Sequence, residues 1–321
     1  MSNPVQHMDD IQYNNSLKKK KKKKKRNGEQ LPFYLMIIPG MIYLFCNNYL
    51  PMFGIVIAFK KVNFAKGIFN SPWCGLQNFK FLFATSDAYT MIRNTVLYNI
   101  LWIATGTIVA IAIALMMNEI AKKPIAKLLQ PVICFPSMIS AVILSYLVYA
   151  FLSTSNGFLN RTVFAANPIS WYSEPKYWPL ILTIVYFWQN AGQSSIIYMA
   201  AISGIDKGLY EAARLDGANK WRQITKITLP LIRQMVILML LMSVGRIFNS
   251  DFGLFYQVPL NSGLLYSTTQ TIDTYVYRAL LEMNNVGMSS AASVFQAVIG
   301  FILVLASNLL VRKIDSDSAL F

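Results

Sequence analysis

The residues able to do chemistry in this chain are few and oddly placed. One histidine, His7, and three cysteines, Cys46, Cys74 and Cys134, are scattered over 321 residues. No CxxC pair occurs, so the thiols read as small apolar residues and not as a disulfide framework or zinc site. A lone histidine leaves almost no room for imidazole catalysis or His-rich metal binding. No G-x-x-x-x-G-K-[ST] occurs, so the chain has no loop of its own to cradle ATP phosphates. What remains is three polar groups set among apolar stretches: "YFWQNAGQSS" at 186–195, the trio Arg246, Asn249 and Asp251, and "EAARLDGANKWRQITKITLP" at 211–230.

The first group pairs an aromatic face with planar hydrogen-bonding groups. An indole offers a flat apolar face, and Trp188 is followed by the donors and acceptors Gln189, Asn190 and Gln193. Polar side chains at bilayer depth face a cavity or bond a neighbouring helix, and both readings fit here. On a helix, Gln189 and Gln193 share one face while Trp188 and Asn190 flank it on either side. A cavity stripe would therefore centre on the two glutamines, with Trp188 or Asn190 at its edge and Trp188 the aromatic contact. For the second group, Arg246 either faces substrate, pairs with Asp251, or snorkels outward.

These groups must be positioned by membrane helices. The chain is 55% hydrophobic and 13% charged, with mean hydropathy +0.42. A soluble domain carries about 25% charged residues, so lipid is the expected solvent. The formal charge of +15 suggests nucleic acid at first sight, but nine charges lie in one run, Lys18–Arg26, and without them it falls to +6. That run has no interleaved aromatics for base stacking. It reads as a solvated tail or as a partner for anionic headgroups on the inner leaflet. The apolar stretch after it, Phe33–Phe59, is far longer than a signal-peptide core of about 7–15 residues. It is read as a retained first membrane helix.

Six stretches reach the roughly 20 apolar residues a span needs: 33–59, 93–118, 128–152, 177–200, 233–255 and 289–311. Asn47, Asn48 and Pro51 interrupt the first, and Pro131 and Pro136 kink the third. With the N-terminus inside, 20 lysines and arginines fall on inner segments and 8 on outer ones, Arg246 completing the 29. Without the tail the bias is 11 to 8. The positive-inside rule then predicts an all-α integral membrane protein with six transmembrane helices and both termini cytoplasmic. The divisions are a basic tail (1–30), a first helix (31–60), an extracellular loop (61–90), a core (91–312) holding a cytoplasmic loop (201–232), and a C-terminus (313–321).

That loop carries helix-stop and helix-start signals. Asp206 is placed to cap a short helix ending at Leu215, and Gly217 stands where a left-handed C-cap belongs. Asn219 would cap a second short helix through Ile227, with Pro230 opening the next span. Leu209, Ala212, Ala213 and Leu215 offer a small apolar face rimmed by Glu211 and Arg214.

At these residues the chain resembles a known family. Glu211-Ala212-Ala213, three residues including Arg214 and Asp216, Gly217, nine residues, then Ile227-Thr228-Leu229-Pro230 matches the EAA---G---------I-LP signature of membrane subunits of ABC importers. From about residue 31 to 312 it is similar to sugar-importer permeases of the oligosaccharide, lipopolysaccharide/aldouronate-named subgroup, on "LPFYLMIIPGMIYLFCNNYLPMFGIVIAFK", "SPWCGLQNFKFLF" and "IDTYVYRALL". The resemblance implies a type I ABC importer permease fold, a second homologous permease, a cytoplasmic ABC ATPase dimer and an extracellular lipid-anchored sugar-binding protein. It also implies that Glu211, Ala212, Ala213, Arg214, Asp216, Gly217, Ile227, Leu229 and Pro230 belong to an ATPase-coupling element. The chain would then be no enzyme and hold no cofactor or metal, with ATP bound by the partner. The alternative is an ion-coupled secondary transporter, which would need intramembrane carboxylates or broken inverted repeats. Only Asp251 lies near a span. A membrane enzyme would need paired carboxylates or a His cluster within the spans, and neither occurs.

Overall fold

The computed structural model describes residues 32–120 and 123–314. The polybasic run, His7, Lys122 and the last residues fall outside the described residues. The chain divides into two units, one ending at Val56 and one beginning at Ile57. Ten helices carry the argument. They are α1 (Pro32–Phe59), α2 (Gln77–Ala84), α3 (Ser86–Glu119), α4 (Lys123–Cys134), α5 (Ala141–Leu152), α6 (Trp178–Ser203), α7 (Lys207–Leu215), α8 (Lys220–Gly245), α9 (Ile272–Leu281) and α10 (Val286–Ile314). The one bridge between extended residues among those described joins Lys60 and Trp73.

Four helices, α1, α3, α8 and α10, are long and apolar enough to cross a membrane, and the bent pair α4/α5 makes a fifth. The 26-residue α6 falls short in apolarity because Gln189, Asn190, Gln193, Ser194 and Ser195 sit in its middle.

Two expected spans take a different form. The stretch 128–152 is not one kinked helix: α4 gives way to a tight turn at Phe135–Met138, and α5 leaves at 92°. Pro131 and Pro136 each remove a backbone donor. Ser140 then starts α5 anew, its hydroxyl accepting from the Ile143 N–H at 3.4 Å. The stretch 233–255 is also revised. Helix α8 begins at Lys220 and stops at Gly245, so Arg246, Asn249 and Asp251 lie beyond its end. A short π-wound turn, Gly253–Gln257, follows.

Two helices that run through a proline, α1 and α8, open locally to do so, whereas α4 carries Pro131 without such winding. In α1, π winding at Phe45–Tyr49 ends two residues before Pro51; in α8, π winding at Ile224–Thr228 ends two residues before Pro230. A proline ring clashes with the carbonyl four residues back, and the widened turn moves that carbonyl aside. The expected stop at Ile227 therefore does not occur, and α8 runs unbroken from the loop into the apolar layer.

The main packing is α3 against α6. Trp102 of α3 stacks on Tyr186 of α6 with ring centroids 3.9 Å apart and planes 9° from parallel, while its indole N–H donates to the Thr183 hydroxyl at 3.2 Å. Such aromatic pairs contribute about 0.5–1.5 kcal/mol beyond area burial. Gly192 sets the distance between α6 and α4, because a Cβ there would lie 1.9 Å from the Ile133 carbonyl oxygen.

Candidate functional site

The loop between α6 and α8 is built from its own backbone chemistry. The Asp206 carboxylate accepts from the Gly208 N–H at 3.0 Å and starts α7. At its end Gly217 has φ +74°, the left-handed region. The Gly217 N–H donates to the Arg214 carbonyl at 3.0 Å, and the Ala218 N–H to the Ala213 carbonyl at 2.9 Å. This is a Schellman closure, which satisfies carbonyls a helix end leaves free. The Asn219 side chain then accepts from the Arg222 N–H at 2.9 Å and starts α8.

Two contacts close the hairpin on itself and a third ties it to α3. The Tyr210 and Thr228 hydroxyls lie 2.9 Å apart. The Gln223 amide donates to the Ala218 carbonyl at 2.9 Å, and Lys220 pairs with Glu119 at the end of α3. Glu211 and Arg214 line a groove of about 380 Å³ with Glu119, Lys207, Tyr210 and Lys220. Glu211, Ala212, Asp216, Gly217, Leu229 and Pro230 are exposed, and Ala213 and Ile227 are half-buried. Leu215 is 91% and Trp221 72% exposed. Sequence reasoning gave Trp221 no role. The signal was available: a large apolar residue among polar ones in the first turn of a capped helix.

The polar middle of α6 divides between two faces. Asn190 lines a cleft of about 100 Å³ between α3, α6 and α8, together with Trp102, Thr107, Tyr186, Ser194 and Ser243. Its amide donates to the Tyr186 carbonyl at 3.1 Å. Trp188 faces a different groove, lined only by apolar side chains including Leu144, Val148, Phe151 and Ile184. Gln189 donates to the Ile139 carbonyl at 3.3 Å and so braces the bend between α4 and α5. Gln193 is exposed. The face that sequence reasoning missed is Tyr186, Asn190, Ser194 and Tyr198, whose four-residue spacing places them in one row on a helix.

Arg246, Asn249 and Asp251 sit on the non-helical segment after α8. Arg246 follows Ser243, a residue lining the Asn190 cleft, by one helical turn, and Asp251 lies five residues further on. They form no ion pair with each other; the Asp251 carboxylate instead accepts from the Leu254 N–H at 3.0 Å. Among the described residues no cluster of three metal-ligating side chains occurs.

Comparison with known proteins bears on this geometry. Residues 103–316 match the family described as the binding-protein-dependent transport system inner membrane component. The polygalacturonan/rhamnogalacturonan transport system permease protein YteP of Bacillus subtilis (strain 168) is 34% identical over 291 residues, 90% of each chain. The crystal structure of a bacterial ABC transporter involved in import of the acidic polysaccharide alginate superposes with a TM-score of 0.81 at 32% identity, covering 91% of this chain and 98% of that one. A second structure, of a bacterial alginate ABC transporter in complex with an alginate pentasaccharide-bound periplasmic protein, superposes at 0.80 and 32% identity, covering 90% and 97%. The all-helical architecture, the apolar helices and the match across the core make this a membrane-embedded transport component and not an enzyme. The chain belongs to the family of binding-protein-dependent transport system inner membrane components.

Proposed function

We propose that this chain is the permease subunit of an ATP-driven importer, passing an oligosaccharide handed over by an extracellular binding protein. The observation that carries the reading is the hairpin of α7 and the start of α8. It is closed by its own backbone bonds, tied to α3 and α8, and bare on its outer face at Ala212, Leu215 and Trp221. A rigid, exposed apolar surface of that kind suits insertion into a groove on another protein, here a cytoplasmic ATPase dimer that binds the ATP. Because α8 continues from the hairpin without interruption, a pull on the hairpin moves the wall of the Tyr186–Asn190 cleft.

In this account α6 is a sixth span. Its 26 residues give about 39 Å of helix at 1.5 Å per residue, ample for a hydrocarbon core of about 30 Å. The bent pair α4/α5 serves as one broken crossing. Both termini and residues 201–232 are cytoplasmic and residues 61–90 extracellular. A second, homologous permease completes the pathway. That the relatives handle polygalacturonan, rhamnogalacturonan and alginate supports an oligosaccharide cargo. Within this chain the Tyr186–Asn190–Ser194 row, with Trp102 and Ser243, is the better-placed pathway wall than Trp188.

The test is uptake by proteoliposomes holding the whole complex. Accumulation of labelled oligosaccharide should require lumenal ATP and external binding protein and survive ionophores. Accumulation driven by an ion gradient without ATP would favour the secondary-transporter alternative.

A further inference from the structure

The non-helical segment Arg246–Asp251 is held by three side chains from three different helices, none of which the transport reading uses. The Asn99 amide on α3 donates to the Ile247 carbonyl at 3.0 Å and the Asn249 carbonyl at 2.9 Å. The Gln296 amide on α10 donates to the Phe248 carbonyl at 2.7 Å and to the Asp273 carboxylate at 3.3 Å. That carboxylate, in the first turn of α9, accepts the Ser250 N–H at 2.6 Å and the Ser250 hydroxyl at 2.8 Å. Three consecutive carbonyls and the next N–H, all released when α8 ends, thus find side-chain partners. Gln296 is 7% exposed, so its amide has bonds it cannot exchange with water. Asp273 sits near the N-terminus of α9, where a negative charge is favoured.

The pinning is selective. Backbone atoms of Ile247, Phe248, Asn249 and Ser250 are fixed, whereas the Arg246 and Asn249 side chains are exposed. An irregular segment at this depth is tolerated where it is buried in protein or lines a cavity. This one begins one helical turn beyond Ser243, which lines the cleft of Tyr186 and Asn190. A brace serving stability alone would have no need to leave two polar side chains directed outward from a fixed backbone.

We infer that Asn99, Gln296 and Asp273 are positioning residues that hold the break after α8 so that Arg246 and Asn249 are presented to the transported sugar. The inference rests on the oligosaccharide-permease reading and adds to it a set of residues that acts through others. Asn99 and Gln296 come from α3 and α10, so relative movement of those helices would reshape the presented edge during the cycle.

The experiment uses the complete importer in proteoliposomes, with trigalacturonate, trimannuronate and maltotriose as probes. Asn99→Leu and Gln296→Leu each remove donors at near-constant volume. Each should raise KM for the transported probe about three- to tenfold, the scale of one or two lost hydrogen bonds, with the amount of permease in the membrane and its ATPase association retained. In an Arg246→Ala/Asn249→Ala background the same changes should add nothing further, since residues acting through one another are non-additive. Wild-type KM, effects that multiply in that background, or a loss of uptake matched by loss of permease would each overturn the inference. Uptake of none of the three probes by the wild type would count against the oligosaccharide reading instead. The inference would then be decided by labelling Asn249→Cys with an aqueous maleimide: a rate changed at least threefold by Gln296→Leu supports it, and an unchanged rate overturns it.

Discussion

Replacing Gly217 separates backbone strain from side-chain contact. Its φ is +74°, and a Cβ added there would meet nothing within 4 Å. Gly217→Ala therefore introduces no clash, only the cost of a left-handed conformation for an L-residue, about 1–2 kcal/mol. That is about a 5- to 30-fold shift in population of the closed hairpin. The Tyr210–Thr228 contact and the Gln223–Ala218 bond oppose the shift with about 0.5–1.5 kcal/mol each. The two terms are comparable, so Gly217→Ala should slow uptake by at most about tenfold. Gly217→Pro is a different perturbation. It fixes φ near −65° and deletes the N–H that donates to Arg214, so the Schellman closure cannot form. Uptake should fall below a few per cent while the permease remains in the membrane at normal level. The assay is ATP-dependent uptake in vesicles, with the permease quantified in the same membranes and ATPase retention measured by co-purification. Normal uptake and normal ATPase retention by Gly217→Pro would refute the reasoning.

Other substitutions rank the remaining contacts. Tyr210→Phe should reduce uptake severalfold, whereas Glu119→Ala should change it less than threefold, because the Lys220–Glu119 pair is more than two-fifths exposed on both sides and such pairs contribute about 0–1 kcal/mol; vesicle uptake compares the two directly. Asn190→Leu should raise KM for the sugar more than Trp188→Ala does, and the reverse order in uptake kinetics would return the pathway to the groove beside α5. Gln193→Leu should impair uptake without loss of complex if the residue meets the cavity in the assembled importer; loss of complex on gel filtration would assign it to helix contact. Gly192→Leu forces side-chain atoms into the Ile133 backbone, an overpacking whose cost, about 1–3 kcal/mol or more, should appear as reduced permease in the membrane fraction.

The hairpin was legible in the sequence because its determinants are local. Asp206, Gly217 and Asn219 act on backbone groups within three residues of themselves, so their types and spacing suffice to place two helix boundaries. The end of α8 was not legible for the opposite reason. Residues 233–255 read as one apolar run without proline, and the break at Gly245 is tolerated only because Asn99 and Gln296, 148 and 48 residues away from their carbonyl partners, satisfy the released groups. Trp188 shows a related limit. Its chemistry suits a sugar face as well as lipid or an apolar groove, and what packs beside it, α5, decides between them. The row from Tyr186 to Tyr198 was present in the spacing, but which face of α6 meets a cleft is set by α3 and α8 packing beside it. The bend between α4 and α5 was signalled by Pro131 and Pro136, yet its angle comes from where Ser140 restarts the helix.

The central claim is that the 207–230 hairpin is the surface on which the ATPase acts. Its most direct measurement is site-specific cross-linking in the transporting complex. Cysteines at Ala212, Leu215 or, as a control, Phe64, introduced one at a time after serine replacement of Cys46, Cys74 and Cys134, would carry a benzophenone maleimide. Illumination should give an adduct with the ATPase from Ala212→Cys and Leu215→Cys, altered in yield when ATP is trapped, and none from Phe64→Cys. A complex that imports sugar yet gives no ATPase adduct from either hairpin position would contradict the account.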